Sequence, residues 1–159
     1  MRQFSLTFQL APDGLLPPAA DAAGRIGTYK PLTGATRVYV VYHLNQGNAA
    51  TITLSPLQAK DVSGTGAKAI STAKIYANEN VALGSSNFVQ ASDGASYTTG
   101  AAIAEKIVVF ELDPSDAFDL LNNYATIAAQ TGASNAANIT SAELFVYGSY
   151  QGVSGLGLD

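Results

Sequence analysis

Lys106-Ile-Val-Val-Phe-Glu-Leu112, followed by Asp113-Pro114, decides the fold. Its β-branched and aromatic residues suit a buried, pleated strand. Proline has no backbone N–H, so it stops the ladder and hands the chain to a turn. The same pattern repeats outward from this run. Upstream, Arg37-Val-Tyr-Val-Val-Tyr-His-Leu-Asn-Gln46 is another strand, and Gly47-Asn48 makes a tight turn into residues 50–57, where Ile52 and Leu54 alternate with Thr51 and Thr53. Residues 61–66 form a Gly/Ser/Thr loop. Residues 73–77 are a short strand about Ile75 and Tyr76, and residues 87–91 and 96–99 flank the turn Ser92-Asp93-Gly94. Downstream, residues 123–131 and 142–150 complete the set. One short helix is predicted over 115–122, with Pro114 at its first position and Asp113 and Asp116 as caps. About eight or nine strands, with turn signals roughly every 8–14 residues, predict an all-β antiparallel sandwich. Its expected topology is jelly-roll-like, with any other eight-stranded sandwich as the alternative.

Ahead of this body, Gln3-Phe-Ser-Leu-Thr-Phe-Gln-Leu10 alternates polar and apolar residues without a slip. A signal-peptide core is a continuous apolar run, so the segment reads as a strand. Residues 11–24 carry Pro12, Gly14, Pro17 and Pro18 and read as extended. Two readings stay open here: an arm that leaves the body and pairs elsewhere, or an edge strand and loop of the same domain. The expected division is residues 1–36 as an N-terminal strand and extended arm, and residues 37–159 as the sandwich body. Phe4, Leu6, Phe8 and Leu10 are the expected partner-binding residues of the arm, buried against another chain or against the domain's own sheet.

One short motif recurs. Gly47-Asn-Ala-Ala-Thr-Ile-Thr53 reappears as Ser134-Asn-Ala-Ala-Asn-Ile-Thr140, each copy between two strands. This predicts two equivalent corners, each turning through an asparagine in a left-handed conformation, Asn48 and Asn135. Seven residues are too few to imply a duplicated half-domain.

Composition narrows the partners. The chain has 159 residues, enough for one domain with a real core. Charged residues make up only 13%, against a usual share of about 25%. Little charge holds this surface away from its neighbours, which suits packing against other protein, and equally suits a plain Ser/Thr-faced β protein. The net charge is −4, and the basic residues Arg2, Arg25, Lys30, Arg37, Lys60, Lys68, Lys74 and Lys106 are scattered singly. Neutralising phosphates needs clustered Lys and Arg, so no nucleic-acid partner is expected. No stretch approaches the ~18 apolar residues of a membrane span, so no membrane partner is expected either. Cysteine is absent, which excludes disulfides and thiolate chemistry.

Catalytic constellations are missing from the sequence. The single histidine, His43, lies inside a strand with no nucleophile turn to serve. Glu111, Asp113, Asp116 and Asp119 form the one carboxylate cluster, but without the residue order of a calcium loop. No enzyme activity, catalytic residue, metal or cofactor is expected. Tyr39, Tyr42, Tyr76, Tyr97, Tyr124, Tyr147 and Tyr150 fall within predicted strands, where tyrosine is an ordinary half-buried residue. A sugar-stacking face built from them is the alternative.

Several blocks carry a resemblance. Residues 46–70, Ile75-Tyr-Ala-Asn-Glu-Asn80, Ser96-Tyr-Thr-Thr99, residues 106–114 and residues 131–140 resemble a family of small tailed-bacteriophage proteins found alongside the major capsid protein, the head decoration or cement proteins. The similarity spans roughly residues 37–150. It implies a structural virion protein on the capsid exterior, made in the host cytoplasm, with the major capsid protein as partner, and it implies no catalytic residues. On an icosahedral lattice a homotrimer and a homodimer are both natural, and the trimer is favoured. The alternatives are a carbohydrate-binding accessory module displayed on the virion and a neck or tail component.

Overall fold

Twelve strands in two antiparallel six-stranded sheets make up the computed structural model, which describes residues 10–84 and 87–148. The long strands are β1 (Ala11–Ala20), β4 (Ala35–Gln46), β5 (Thr53–Ala59), β7 (Lys74–Asn78), β10 (Ala104–Leu112), β11 (Thr126–Thr131) and β12 (Asn138–Gly148). Five more have two residues each: β2 (Arg25–Ile26), β3 (Lys30–Pro31), β6 (Lys68–Ala69), β8 (Val89–Gln90) and β9 (Tyr97–Thr98). The first sheet runs β1-β12-β4-β10-β7-β8 and the second β2-β11-β5-β6, with β3 also on β11 and β9 also on β5.

This order is a jelly roll. Strand β1 pairs with β12, β2 and β3 with β11, β4 with β10, and β5 with β6, all antiparallel. That is one long folded-over ribbon. Wrapping it brings β12 beside β4 in one sheet and β11 beside β5 in the other, as in two interlocked Greek keys. The hairpin β7–β8 is an addition on the outer edge of β10.

Strand alternation builds the core. Val38, Val40, Tyr42 and Leu44 of β4 point inward beside Leu112, Phe110 and Val108 of β10 and Leu144 and Ala142 of β12. Ile52, Leu54, Ile127 and Ala129 meet them from the second sheet. Tyr42 spans the sandwich. Its ring packs edge-on against Phe110 at 5.6 Å, and its hydroxyl donates to the Gln130 carbonyl at 3.3 Å and accepts from the Gln130 N–H at 3.2 Å. Burial raises the Tyr42 pKa far above its ordinary value, keeping the phenol neutral.

Residues 11–20, where arm and edge strand stayed open, pair as the edge strand β1 of the first sheet. Bulges between Gly14 and Leu16 and between Leu16 and Ala19 let both Leu15 and Leu16 turn into the core, and Pro12, Pro17 and Pro18 sit where an edge tolerates a missing donor. Phe4, Leu6 and Phe8 lie outside the described residues. Leu10 sits half-buried just before β1.

Three sequence expectations are corrected. Gly47-Asn48 is not a hairpin turn, because β4 and β5 belong to opposite sheets and the chain crosses between them there. The turn at residues 92–94 likewise separates β8 in the first sheet from β9 in the second. The helix splits into α1 (Pro114–Ala117) and a 3-10 turn (Leu120–Asn122), since Phe118 takes an extended backbone and enters the core. Asp113 caps α1 by accepting from the Ser115 N–H at 3.1 Å, whereas Asp116 lies in the first turn and is not the cap.

The repeated motif does form two equivalent corners, by another device. Neither asparagine is left-handed; among the described non-glycine residues positive φ occurs at Asn123. Instead the Asn48 carboxamide accepts from the Ala50 N–H and the Asn135 carboxamide from the Ala137 N–H, each at 2.9 Å. These are Asx turns. The corners pack on each other through fully buried Asn138, which accepts from the Asn48 N–H (2.8 Å) and donates to the Ala50 carbonyl and Ser134 Oγ (2.9 Å each). A Cβ at Gly47 would stand 2.6 Å from the Ala137 carbonyl oxygen, so only glycine permits this approach. Asn138→Ala is expected to cost about 2–3 kcal/mol, because buried backbone groups lose their partners; urea unfolding of the two proteins measures it.

Candidate functional site

Two regions follow from strand alternation, a half-buried apolar sheet face and a buried polar network with a cleft beside it. The first is the outer face of the β1–β8 sheet. While the even-numbered residues of β4 fill the core, Tyr39 and Val41 face out and are half-buried. The register sets Val41 beside Val109 and Val109 beside Tyr76, and it sets Tyr39 beside Phe145. Val109, Tyr76, Phe145 and Ile107 are also half-buried on this side. The apolar centre is bordered by Glu111, Lys74, Glu143 and Arg37. No element among the described residues pairs outward beyond β1 or β8, and the β8 edge is only two residues long.

His43 lies on this face, exposed, between Ile107 and Ser141. The Ser141 hydroxyl meets the His43 backbone carbonyl at 3.5 Å, not the imidazole. The tyrosines do not gather into one cluster. Tyr39, Tyr76 and Tyr147 are on this face, Tyr42 is in the core, and Tyr124 lies under Lys68 at the other end, with its hydroxyl on the Gly66 carbonyl. The carboxylates of residues 111–119 are likewise spread. Asp113 pairs with Arg37 at 3.2 Å, and Asp119 pairs with Lys68 at 2.6 Å.

The second region is one the sequence reading missed. Lys106 holds an inward position on β10, with its side chain 0% exposed. Its ammonium meets Glu79 Oε2 at 2.5 Å and donates to the Gly100 carbonyl at 2.6 Å. The Tyr97 hydroxyl donates to Glu79 Oε1 at 2.6 Å, and the Gly100 N–H reaches both carboxylate oxygens at 3.2 Å. Gln46, also buried, donates to the Gly100 carbonyl and accepts from the Thr99 hydroxyl, which in turn accepts from the Ile52 N–H. A charge buried in a core is tolerable only when its hydrogen bonds are made, and this network makes them.

Beside the network, between the β7–β8 hairpin and β9, is a cleft of about 480 Å³ lined by residues 77–80, Asn87, Val89, Gln90, Ala91 and Tyr97. Glu79 shows 35% of its side chain to solvent there. Desolvation opposes its ionisation, but the bonds from Lys106, Tyr97 and Gly100 outweigh it and hold its pKa below the ordinary 4.5. Desolvation and the Glu79 carboxylate together push the Tyr97 phenol well above its usual range. A depressed carboxylate stabilises the fold fully above its unfolded value and loses that contribution as pH falls through the folded one. Glu79→Gln is therefore expected to flatten the loss of stability below about pH 4.5, read from unfolding midpoints at pH 7 and pH 3.

At the corner end, fully buried Asp21 and partly buried Arg25 form a second unforeseen pair. Arg25 donates to Asp21 at 3.1 Å and to the carbonyls of Pro17, Ala19 and Thr140, tying β1 to β12 where the chain leaves for the other sheet.

The class these features define is an antiparallel jelly-roll sandwich with one half-apolar sheet face and one polar cleft at its margin. No protein-family model matches the chain, and no curated protein matches its sequence. Among solved structures it is similar to the SPBc2 prophage-derived protein YomS, with a TM-score of 0.46 at 9% identity, over 85% of this chain and 94% of that one.

Proposed function

We propose that this chain is a structural virion protein that binds the outer surface of a tailed-phage capsid and stabilises it, as a cement or decoration protein. The observation that carries the proposal is the outer face around Val41, Val109, Tyr39 and Phe145. It is broad and half-apolar, with Glu111, Lys74, Glu143 and Arg37 set among and around the apolar residues, the composition of a contact made in many copies at modest affinity each, where the lattice supplies multivalency. The resemblance of residues 37–150 to decoration proteins supports the same role. The partner is the major capsid protein, and the chain acts as a homo-oligomer, a trimer in preference to a dimer.

Phe4, Leu6, Phe8 and Leu10 supply a second contact, adding as an arm to a sheet edge on the capsid or on a sister subunit through main-chain hydrogen bonds. Removing residues 1–9 leaves β1 whole, and circular dichroism checks that the sandwich is folded. The expected result is a monomeric or weakly shell-binding protein by light scattering and pelleting. Unchanged mass and unchanged binding would remove the arm from the mechanism.

Co-sedimentation of the purified chain with mature shells stripped of their decoration tests the role itself. Saturable pelleting at a fixed ratio to capsid subunits is expected. Failure to pellet with intact shells would move the protein to the neck or to a sugar-binding accessory role.

A further inference from the structure

We infer that the cleft between the β7–β8 hairpin and β9 is a binding site for a neutral saccharide, independent of the capsid contact. Its walls provide what a sugar ring needs and little else. Val89 pairs with Ala77 in the hairpin and stays exposed in the cleft lining. This gives an apolar wall for the C–H face of a pyranose. The Tyr97 ring forms another wall and is held in place by its bond to Glu79. Asn80 and Asn87 line the opening, and neither carboxamide has a hydrogen-bond partner among the described residues. Each amide offers a donor and an acceptor side by side, the complement of a pair of adjacent hydroxyls.

Charge decides the class of ligand. The one carboxylate of the cleft, Glu79, is neutralised by Lys106, so the site attracts neither cations nor anions. The Glu79 oxygens are already met by Tyr97, Lys106 and Gly100, so the hydroxyl partners of the site are the Asn80 and Asn87 carboxamides. A volume of about 480 Å³ falls within the range of small-ligand pockets. An acidic sugar or a phosphate would find no cation to meet it, since Lys106 is fully buried behind the carboxylate.

The test is a titration of the whole 15N-labelled chain with cellotriose, maltotriose and chitotriose, each to about 20 mM, which detects the millimolar affinities usual for shallow sites. Pelleting with insoluble cellulose and chitin runs in parallel and distinguishes a polymer source from a free oligosaccharide. Asn80→Ala with Asn87→Ala is the variant, and both positions lie outside the core. At least one probe is expected to shift the amide signals of residues 77–80, 87–91 and 97, or to pellet the chain, with affinity at least about tenfold lower in the variant. No shift and no pelleting with any probe overturns the inference, as does binding that the variant leaves unchanged. Shell binding by the same variant stays at the unsubstituted level, so a failure here is separate from a failure of the capsid role.

Discussion

Replacing Val41 with lysine and Val109 with glutamate together is expected to weaken shell binding by about 100-fold while leaving the sandwich folded. The two residues are direct cross-strand neighbours on the outer face of the β1–β8 sheet. Opposite charges at such a pair attract, and Glu143 stands beside residue 41 on β12, so the introduced lysine has acceptors on both sides. The folded monomer therefore loses little. An apolar contact that must bury the same pair has to desolvate two ions, at a cost of about 2–4 kcal/mol, and every 1.4 kcal/mol is a factor of ten in affinity. Pelleting isotherms measure the loss, and circular dichroism checks the fold. Wild-type binding by this variant would place the capsid contact on another surface.

The second large effect is on stability. Lys106→Ala is expected to destabilise the chain by about 3 kcal/mol, the scale for removing one partner of a buried pair. The cost has two parts: the Glu79 carboxylate loses its cation and the Gly100 carbonyl one of its two donors, and the volume of a fully buried side chain is vacated. Glu79 is partly open to water, which keeps the effect from being larger. In a domain of this size such a loss lowers the melting temperature by roughly 10 °C. Lys106→Met keeps most of the volume and is expected to lose less. Combining it with Glu79→Gln removes the unpaired charge and restores part of the difference. Equal stability of Lys106→Ala and wild type, in calorimetry, would show that the ion pair is not part of the folded core.

These effects trace to features of uneven visibility in the sequence. The central strands were legible because residues 37–46 and 106–112 are long runs of β-branched and aromatic residues bounded by turn chemistry, and their number and spacing pointed to a sandwich, while the choice of a jelly roll over another eight-stranded sandwich stayed open until the pairing was seen. The sheet assignment of each turn was not legible. Gly47-Asn48 has the composition of a hairpin turn, yet it crosses between sheets, because the pairing of β4 with β10 and β12 leaves no edge of β4 free for β5. Two-residue strands such as β6, β8 and β9 carry no period to detect. The echo of residues 47–53 in residues 134–140 did reveal two matching corners. Its asparagines act through side-chain acceptance and not through a left-handed backbone, a distinction that composition does not encode.

Lys106 had a signal that was passed over. It stands at the same alternation as Val108, Phe110 and Leu112, so the period-two register of its own strand puts it inside. Glu79, in Asn78-Glu79-Asn80, had none, since its role depends on β7 ending where β9 and Gly100 approach from the other sheet. Asp21 and Arg25 are four residues apart outside any helix, and nothing local marks either as buried.

Electron cryomicroscopy of stripped shells saturated with the purified chain is the most direct measurement of the central claim. The expected result is density for the sandwich on the outer surface at one class of symmetry position, threefold for a trimer, with the Val41–Val109 face against the shell. Bare shells at saturating concentration, or density confined to the portal vertex, would contradict it.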